Sequence, residues 1–435
     1  MKDVRRLAFG LLLDVEKKSA YSNLALKNTI EEEKLDRTEA AFLSNLVLGV
    51  IERKLTLDYN ISQFLESPIK KLKTEILCVL RMGAFQILFM DNIPVSAAVN
   101  ESVKIIKSTK FGFAQGLVNA VLRKISANGL LLPKTDDTSY DLSIKYSCPQ
   151  WLIKVWIEAY GIRRAESILE YSVRVPQIYA RVNINKISSL NLVDKLQSEG
   201  LKVRISEHND KCIVFESKGN LVATDSFAKG FYHFQNLSSQ LLCEEVAACG
   251  GDKVIDLCAS PGGKAFTLSQ NIGEKGFIKA FDVKENRVKL IEEGIKRLGL
   301  KNISAGLGDA TAFDESIGQA DIVLCDVPCS GFGVLASKPE VKYKAPDDID
   351  KLPQLQYFIL SNAVRYLSKS GILVYSTCTL NPSENEDVCK RFLEENVKDF
   401  EVVNTGLSGS DGFATIFPDM FDSDGFFFAV FKKKG

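Results

Sequence analysis

The sequence predicts a chain in three parts: an all-helical domain, a small α+β module, and an α/β domain whose parallel sheet is covered on both faces. Three observations carry this. Apolar residues recur at helical spacing, without strand alternation, through residues 1–134. Short strand-like runs surround one helical pattern within 148–234. From about Gly251 onward the pattern becomes strand, glycine turn and helix, several times over. At 435 residues, 46% hydrophobic and 25% charged, the chain is long enough for well-buried cores and is not of disordered composition.

Taken in order, the start MKDVRRLAFGLLLDVEKK has a short apolar stretch that ends in charges, with no small-residue cleavage site. It predicts an amphipathic helix and not a signal peptide. In 37–55, Ala40, Leu43, Leu46, Val47, Val50 and Ile51 fall on one helical face, and Asp36 with Glu39 has the spacing of a capping box. Residues 77–90 are nearly all apolar and predict a buried helix; Pro94 opens another, and 115–124 a further one. The Pro-, Thr-, Ser- and Asp-rich stretch near 132–141 predicts a linker over 135–147. The module at 148–234 has helical patterns at 149–172 and 188–199, with strands at 178–183, 201–205 and 211–215. In the domain at 235–435, strands are expected at 253–258, 276–282, 303–307, 322–326 and 371–376. Their continuous β-branched runs between helices indicate a parallel sheet, and ligands bind such sheets beyond the carboxyl ends of the strands.

Composition excludes several function classes. No apolar run reaches the roughly 18 to 20 residues a membrane span needs. The ten cysteines are scattered, and only His208 and His233 are available beside them, so no metal site is expected. Reduced thiols point to the cytoplasm. Net charge is zero, but residues 1–134 hold 20 Lys and Arg against 14 Asp and Glu, enough for a phosphate-facing patch.

The first strand of the α/β domain ends in Asp256-Leu-Cys-Ala-Ser-Pro-Gly-Gly-Lys264, followed by a helix. Glycines at such a turn let backbone approach a ligand, and a helix N-terminus favours negative charge. A tight turn alone explains a Gly-Gly, but two acids downstream tip the balance. Asp282 ends the second strand, 19 residues after Gly263, where a carboxylate accepts from ribose hydroxyls. Asp309 follows the third strand, where a side chain can hold an adenine amino group. The turn lacks the G-x-G-x-x-G spacing of dinucleotide sites, which points to S-adenosylmethionine.

Strand four runs into Asp326-Val-Pro-Cys329-Ser-Gly-Phe-Gly333 and strand five into Tyr375-Ser-Thr-Cys378-Thr. Adjacent strand tips place two cysteines and an aspartate in one pocket. Such a set suits methylation of cytosine at carbon 5, which is a poor nucleophile until a thiolate adds to carbon 6. Asp326 suits hydrogen bonding near ring nitrogen 3, and a second thiol can assist release. A cysteine with a pKa of about 8.5 is mostly thiol at neutral pH, so the pocket must favour the thiolate, and Lys264 is a candidate for doing so. Packing is the expectation for Cys78, Cys148, Cys212, Cys243, Cys249, Cys325 and Cys389. In Cys258 the backbone matters more than the sulfur.

These motifs, DLCASPGGK, DVPCSGFG and YSTCT in this order, resemble the Sun family of RNA 5-methylcytosine methyltransferases. Asn381-Pro-Ser-Glu-Asn-Glu386, Asp424-Gly-Phe-Phe-Phe-Ala429, Leu355-Gln356 with Ile359-Leu360, and Arg181-Val-Asn fit the same pattern. Arg5-Arg6-Leu-Ala, Tyr21-Ser-Asn-Leu-Ala-Leu26, Ile93-Pro with Ala97-Ala-Val-Asn-Glu101, and Leu117-Val-Asn-Ala-Val-Leu-Arg123 are similar to the NusB-type RNA-binding domain. The resemblance implies a Rossmann-like methyltransferase domain behind a NusB-like domain. It also implies 16S rRNA or a small-subunit assembly intermediate as partner, with the enzyme a monomer. Cys378 is then the nucleophile and Cys329 the residue assisting release. Cys258, Ala259, Ser260, Pro261, Gly262, Gly263 and Lys264 line the cofactor, Asp282 meets ribose, Asp309 adenine, and Asp326 stands between cofactor and base. Three positions depart from the pattern. Ala336-Ser337 replace two basic residues, for which Lys338, Lys342 and Lys344 offer compensation; Ala265 replaces Thr; and Asn236 replaces Asp. The alternatives are the same chemistry on tRNA or another rRNA cytosine, and a non-catalytic RNA-binding assembly factor. Adenine-N6 methylation is more distant, because the Asp326 loop lacks the D/N-P-P-aromatic pattern.

Overall fold

The computed structural model describes residues 3–18, 22–216, 220–273 and 275–434. The chain divides into two units, Met1–Val173 with Lys338–Tyr343, and Arg174–Ser337 with Lys344–Gly435. Tyr21, which opens one of the helical-domain motifs, lies outside the described residues.

In the first unit, the apolar stretch expected as a buried helix is the helix Thr74–Phe89, with Ile76, Val79, Leu80 and Met82 all buried. Helices Val4–Lys18, Arg37–Glu52, Lys54–Ser62, Val95–Lys107 and Gln115–Asn128 pack around it. The capping box forms: Asp36 accepts from Thr38 N and Glu39 N, and the Glu39 side chain accepts from Asp36 N. Such a cap is worth about 1 kcal/mol. Arg81 is buried among these helices and paired with Asp58 and Glu16.

One expectation for this unit is corrected. The stretch 135–147 is not a simple linker, since it holds the helix Thr138–Tyr146 with Leu142, Ile144 and Tyr146 buried. Asp137 caps that helix by accepting from Tyr140 N, so the linker-like composition comes from a helix start. The helices Gln150–Tyr160 and Ile162–Ser172 cluster here as well, which puts the compact division at Val173.

Lys342, expected as a substitute RNA contact, is fully buried in this unit and donates from Nζ to Glu52 O at 2.7 Å. Burial lowers its pKa to about 8. In the second unit Lys344 is likewise engaged, its Nζ donating to Ser330 O at 2.8 Å, and of the three lysines only Lys338 is exposed.

The second unit contains two sheets. Strands β1 (Ile178–Val182), β2 (Val203–Ile205), β3 (Cys212–Phe215) and β4 (Tyr232–Phe234) pair antiparallel in the order β2-β3-β1-β4. The helix Ser189–Ser198 covers this sheet with Leu192 and Leu196.

The larger sheet holds β5 (Lys253–Asp256), β6 (Phe277–Asp282), β7 (Ile303–Leu307), β8 (Ala320–Asp326), β9 (Leu367–Thr377), β10 (Phe400–Val402), β11 (Ala414–Ile416) and β12 (Phe426–Lys433). Its order is β10-β12-β9-β8-β5-β6-β7, with β11 on β12. From β9 through β7 the pairs are parallel, as expected. The helices Leu352–Ala363 and Glu386–Glu395 bury one face, and Leu237–Ala248, Gly263–Asn271 and Glu285–Leu298 the other. The sequence pattern did not reveal β12, whose run FFFAVFKK lies antiparallel to β9 with Phe427, Phe428 and Phe431 fully buried. Each such side chain contributes roughly 2 kcal/mol or more. Among the described residues no helix is long and apolar enough to cross a membrane.

Candidate active site

The order of strand addition reverses between β5 and β8, which remain parallel: the strands after β5 step one way to β7, and β8 returns to its other side. A crevice opens beyond the carboxyl ends of strands at such a switch point. The tip of β5 carries the Asp256–Lys264 loop, β8 carries Asp326 and Cys329, and β9 leads to Cys378.

The loop after β5 bends tightly onto the helix Gly263–Asn271. Gly262, at its N-cap, has φ of 106°, and a Cβ there would meet the Phe266 ring at 2.2 Å, so a glycine is required. Ala259 N donates to Phe281 O at 2.8 Å and Gly262 N to Ala259 O at 2.6 Å, which ties the loop to β6 and to itself. Ala265, one of the departures from the family pattern, is buried and packs in the core of this face. Asn236, another, caps the helix Leu237–Ala248 through Ser238 N and donates to Asp424 Oδ2.

From the first turn of its helix, Lys264 reaches Asp326: Nζ to Oδ2 is 2.6 Å. Ser376 Oγ donates to the other oxygen, Oδ1, at 2.8 Å. Burial pulls the Lys264 pKa down, but the charge and hydrogen bond of Asp326 outweigh it and the pKa is raised. A charge on Cys378 would raise it further, by less than Asp326 does.

Asp256 ends β5 fully buried. Its Oδ1 accepts from Cys258 N at 3.3 Å, and its Oδ2 has no hydrogen-bond partner among the described residues. Burial first, then the charge of Asp326, push its pKa up to about 7. A buried acid perturbed in this way is a candidate for a functional role.

The two sulfurs meet. Cys329 Sγ and Cys378 Sγ are 3.3 Å apart, although 49 residues separate them in sequence. Their loops are joined at several points: Val327 N donates to Ser376 O, Gly333 N to Cys378 O at 3.0 Å, and Ser330 Oγ bonds Thr379 Oγ1 at 2.7 Å. Gly333 sits so near Gly425 that a Cβ would lie 2.0 Å from its carbonyl oxygen. The Cys329 thiol is pushed well above its ordinary pKa, first by its hydrogen bond to Cys378, then by burial and by the charge of Cys378.

Cys78, Cys148, Cys212, Cys243, Cys325 and Cys389 are buried, Cys249 is half-buried, and burial raises the pKa of each. These thiols sit protonated in packed surroundings. Cys258 is half-buried, its pKa raised by burial, and its N–H holds Asp256.

Asp282 and Asp309 lie at the next two strand tips. Asp282 is buried, accepts from Lys284 N at 3.0 Å, and stands 3.7 Å from Arg287. Gly308 N donates to Asp282 O, bringing the β7 loop alongside. Asp309 is exposed and accepts from Thr311 N and Oγ1, which lower its pKa. A cavity of about 90 Å³ beside it is lined by Leu257, Phe281, Asp309, Ala310 and Tyr366, among others. Among the described residues no cluster of His, Cys, Asp and Glu has the makings of a metal site.

Sequence reasoning assigned no role to Asp256, Ser376, Gln356 or Glu384. All four stood inside quoted motifs, but only the fold shows what they touch.

A family model described as 16S rRNA methyltransferase RsmB/F matches residues 246–432. A NusB family model matches 2–127, and an RsmF/B-like ferredoxin-like domain matches 148–221. A Bacillus subtilis (strain 168) protein named probable ribosomal RNA small subunit methyltransferase B is 35% identical over 445 residues, covering 99% of each chain. A Synechocystis protein of the same name is 31% identical over 445 residues, covering 100% of each. The crystal structure of PH0851 superimposes with a TM-score of 0.82 at 25% identity, covering 99% of this chain and 98% of the other.

Proposed function

The chain belongs to the RsmB/F family of 16S rRNA methyltransferases and is an rRNA methyltransferase; from that premise we propose that it methylates carbon 5 of a cytosine in 16S rRNA, through a covalent bond from Cys378. The observation that carries this reading is the 3.3 Å approach of Cys378 Sγ to Cys329 Sγ at neighbouring strand tips.

The residues at the switch point fit S-adenosylmethionine. Among the described residues Asp256 keeps a buried oxygen without a partner at the root of the loop, and the loop runs into the N-terminus of the helix Gly263–Asn271, which favours a ligand's negative charge. Asp282 takes the ribose hydroxyls, Asp309 with its adjoining cavity the adenine, and Asp326 stands between cofactor and base. When bound, this group supplies an electrophilic methyl on a sulfonium.

The protein's own part follows from the geometry. Cys378 Sγ, as thiolate, forms a bond to ring carbon 6, and the displaced pair makes carbon 5 nucleophilic. Asp326, held between Lys264 and Ser376, meets nitrogen 3, with the Lys264 ammonium behind it as proton source. Once carbon 5 carries the new methyl group and the Cys329 thiol has given its own proton to water, the carbon 5 hydrogen leaves as a proton to the Cys329 thiolate. The C–H pair then re-forms the double bond between carbons 5 and 6, the C–S pair returns to Cys378, and the proton taken up at nitrogen 3 goes back to the Lys264–Asp326 pair.

The electrostatics of Cys329 suit that timing. While Cys378 is free, its hydrogen bond and charge hold the Cys329 thiol in its protonated form. Bonding Cys378 to carbon removes both contributions, and Cys329 ionises more readily at the step that needs a base.

Bisulfite sequencing of 16S rRNA from a deletion strain tests the reading. One protected cytosine should disappear and return with the wild-type gene but not with Cys378→Ala. An unchanged 16S pattern overturns the substrate assignment, and titration calorimetry showing no S-adenosylmethionine binding overturns the enzyme mechanism.

A further inference from the structure

Two buried side chains far apart in sequence hold the peptide groups on both sides of Cys329. Gln356, on the helix Leu352–Ala363, donates from Nε2 to Pro328 O and to Glu384 Oε2, both at 2.9 Å. Ser330 N donates to the same carboxylate oxygen at 2.8 Å, and Asn381 Nδ2 donates to Glu384 Oε1 at 2.9 Å. Gln356, Glu384 and Ser330 are all fully buried.

These three donors to Glu384 are neutral groups. A buried carboxylate held this way is costly to desolvate, and an apolar residue packs a core at less expense. What the carboxylate does instead is local. Both its bond from Ser330 N and the Gln356 bond to Pro328 O end on the short irregular segment that carries the Cys329 thiol. Gly331, with φ of 81°, follows at once, so no regular structure fixes the loop there.

We propose that Glu384 and Gln356 are positioning residues that set Cys329 Sγ against Cys378 Sγ for release of the methylated base. The inference rests on the division of labour between the two cysteines given above. Proton transfer needs heavy atoms within hydrogen-bond reach, and a displacement of about 1 Å can cost as much as ~100-fold in rate. The Glu384 charge also adds to the influences that keep Cys329 protonated before Cys378 reacts.

Glu384→Gln is the sharp test, because it keeps the volume but turns one acceptor into a donor. All three existing partners are donors, so one of them must face an NH2 group. The expected variant melts near wild type and transfers one methyl group in a single-turnover assay within about threefold of wild type. Its multiple-turnover rate falls by about tenfold or more, and a protein–RNA adduct resistant to denaturing gels accumulates. Gln356→Met is the second variant, with the same adduct expected, and serves if Glu384→Gln fails to fold. A purely structural role gives a different outcome: methyl transfer and adduct fall together with the amount of folded protein. That result, or wild-type turnover in both folded variants, overturns the proposal. Cys329→Ala separates the two levels. If it traps no adduct, the two-cysteine reading falls and takes this inference with it; if it traps adduct and the folded positioning variants do not, only the inference falls.

Discussion

Each unit of the chain buries a cluster of opposite charges, and the two clusters differ in how completely they are satisfied. In the helical unit, Arg81 gives Asp58 two bonds of 2.7 Å and Glu16 one of 3.1 Å, while Lys54 adds 2.8 Å to Glu16. In the α/β unit, Lys264 gives Asp326 a single bond of 2.6 Å, and the fully buried Asp256 keeps Oδ2 unpartnered with its pKa near 7. The first cluster is closed and serves stability. The second leaves a carboxylate oxygen unsatisfied among the described residues, at a cost in stability. Chemistry here belongs with the open cluster.

Four variants break or sharpen that contrast. The largest effect belongs to Cys378→Ala beside the open cluster, which should lose methyl transfer by about 1,000-fold or more in a radiolabel assay. Its urea midpoint should stay close to wild type. Next comes Arg81→Met in the closed cluster. It leaves Asp58 and Glu16 facing no guanidinium and should cost about 3–5 kcal/mol in urea unfolding of the helical unit. S-adenosylmethionine binding, measured by calorimetry, should not change. A cost under about 1 kcal/mol would mean the cluster is not the structural element it looks like.

Lys264→Met ranks third. Removing the partner and proton source of Asp326 should lower kcat/KM by about 100-fold, and a change under about threefold would detach Lys264 from the chemistry. Asp256→Asn is the smallest and has the opposite sign for stability. The pKa of Asp256 is raised in the folded chain, so the folded state keeps its proton to higher pH than the unfolded state does. The penalty is absent below the ordinary carboxylate range, grows as pH rises toward 7, and is complete above it. Asparagine should therefore match wild type near pH 4 and be more stable than wild type at pH 8, while binding S-adenosylmethionine more weakly. A stability difference independent of pH would contradict the raised acid.

The same contrast explains what could be read from the sequence. The helical unit announced itself by local pattern: the spacing of Leu43, Leu46, Val47 and Val50, the Asp36–Glu39 cap, and the apolar run that became Thr74–Phe89. In the α/β unit the β-branched runs found β5 through β9, and the residues after each strand tip supplied Cys329, Cys378, Asp326 and the glycine turn. Properties fixed by distant partners stayed hidden. Glu384 lies 54 residues from the Ser330 N–H it accepts, and Lys342 lies 290 from the Glu52 carbonyl that takes it up. No local rule links such positions. Thr138–Tyr146 was misread because a capping Asp and a linker share a composition. The strand β12 was missed because an all-apolar strand between two neighbours shows no alternation.

The central claim is that Cys378 bonds the base and Cys329 frees it. Mass spectrometry of Cys329→Ala protein, incubated with S-adenosylmethionine and a 16S rRNA fragment and then digested, tests it most directly. A methylated cytidine attached to the peptide bearing Cys378 is the expected product. An unmodified Cys378 peptide, or a nucleotide on any other cysteine, would contradict it.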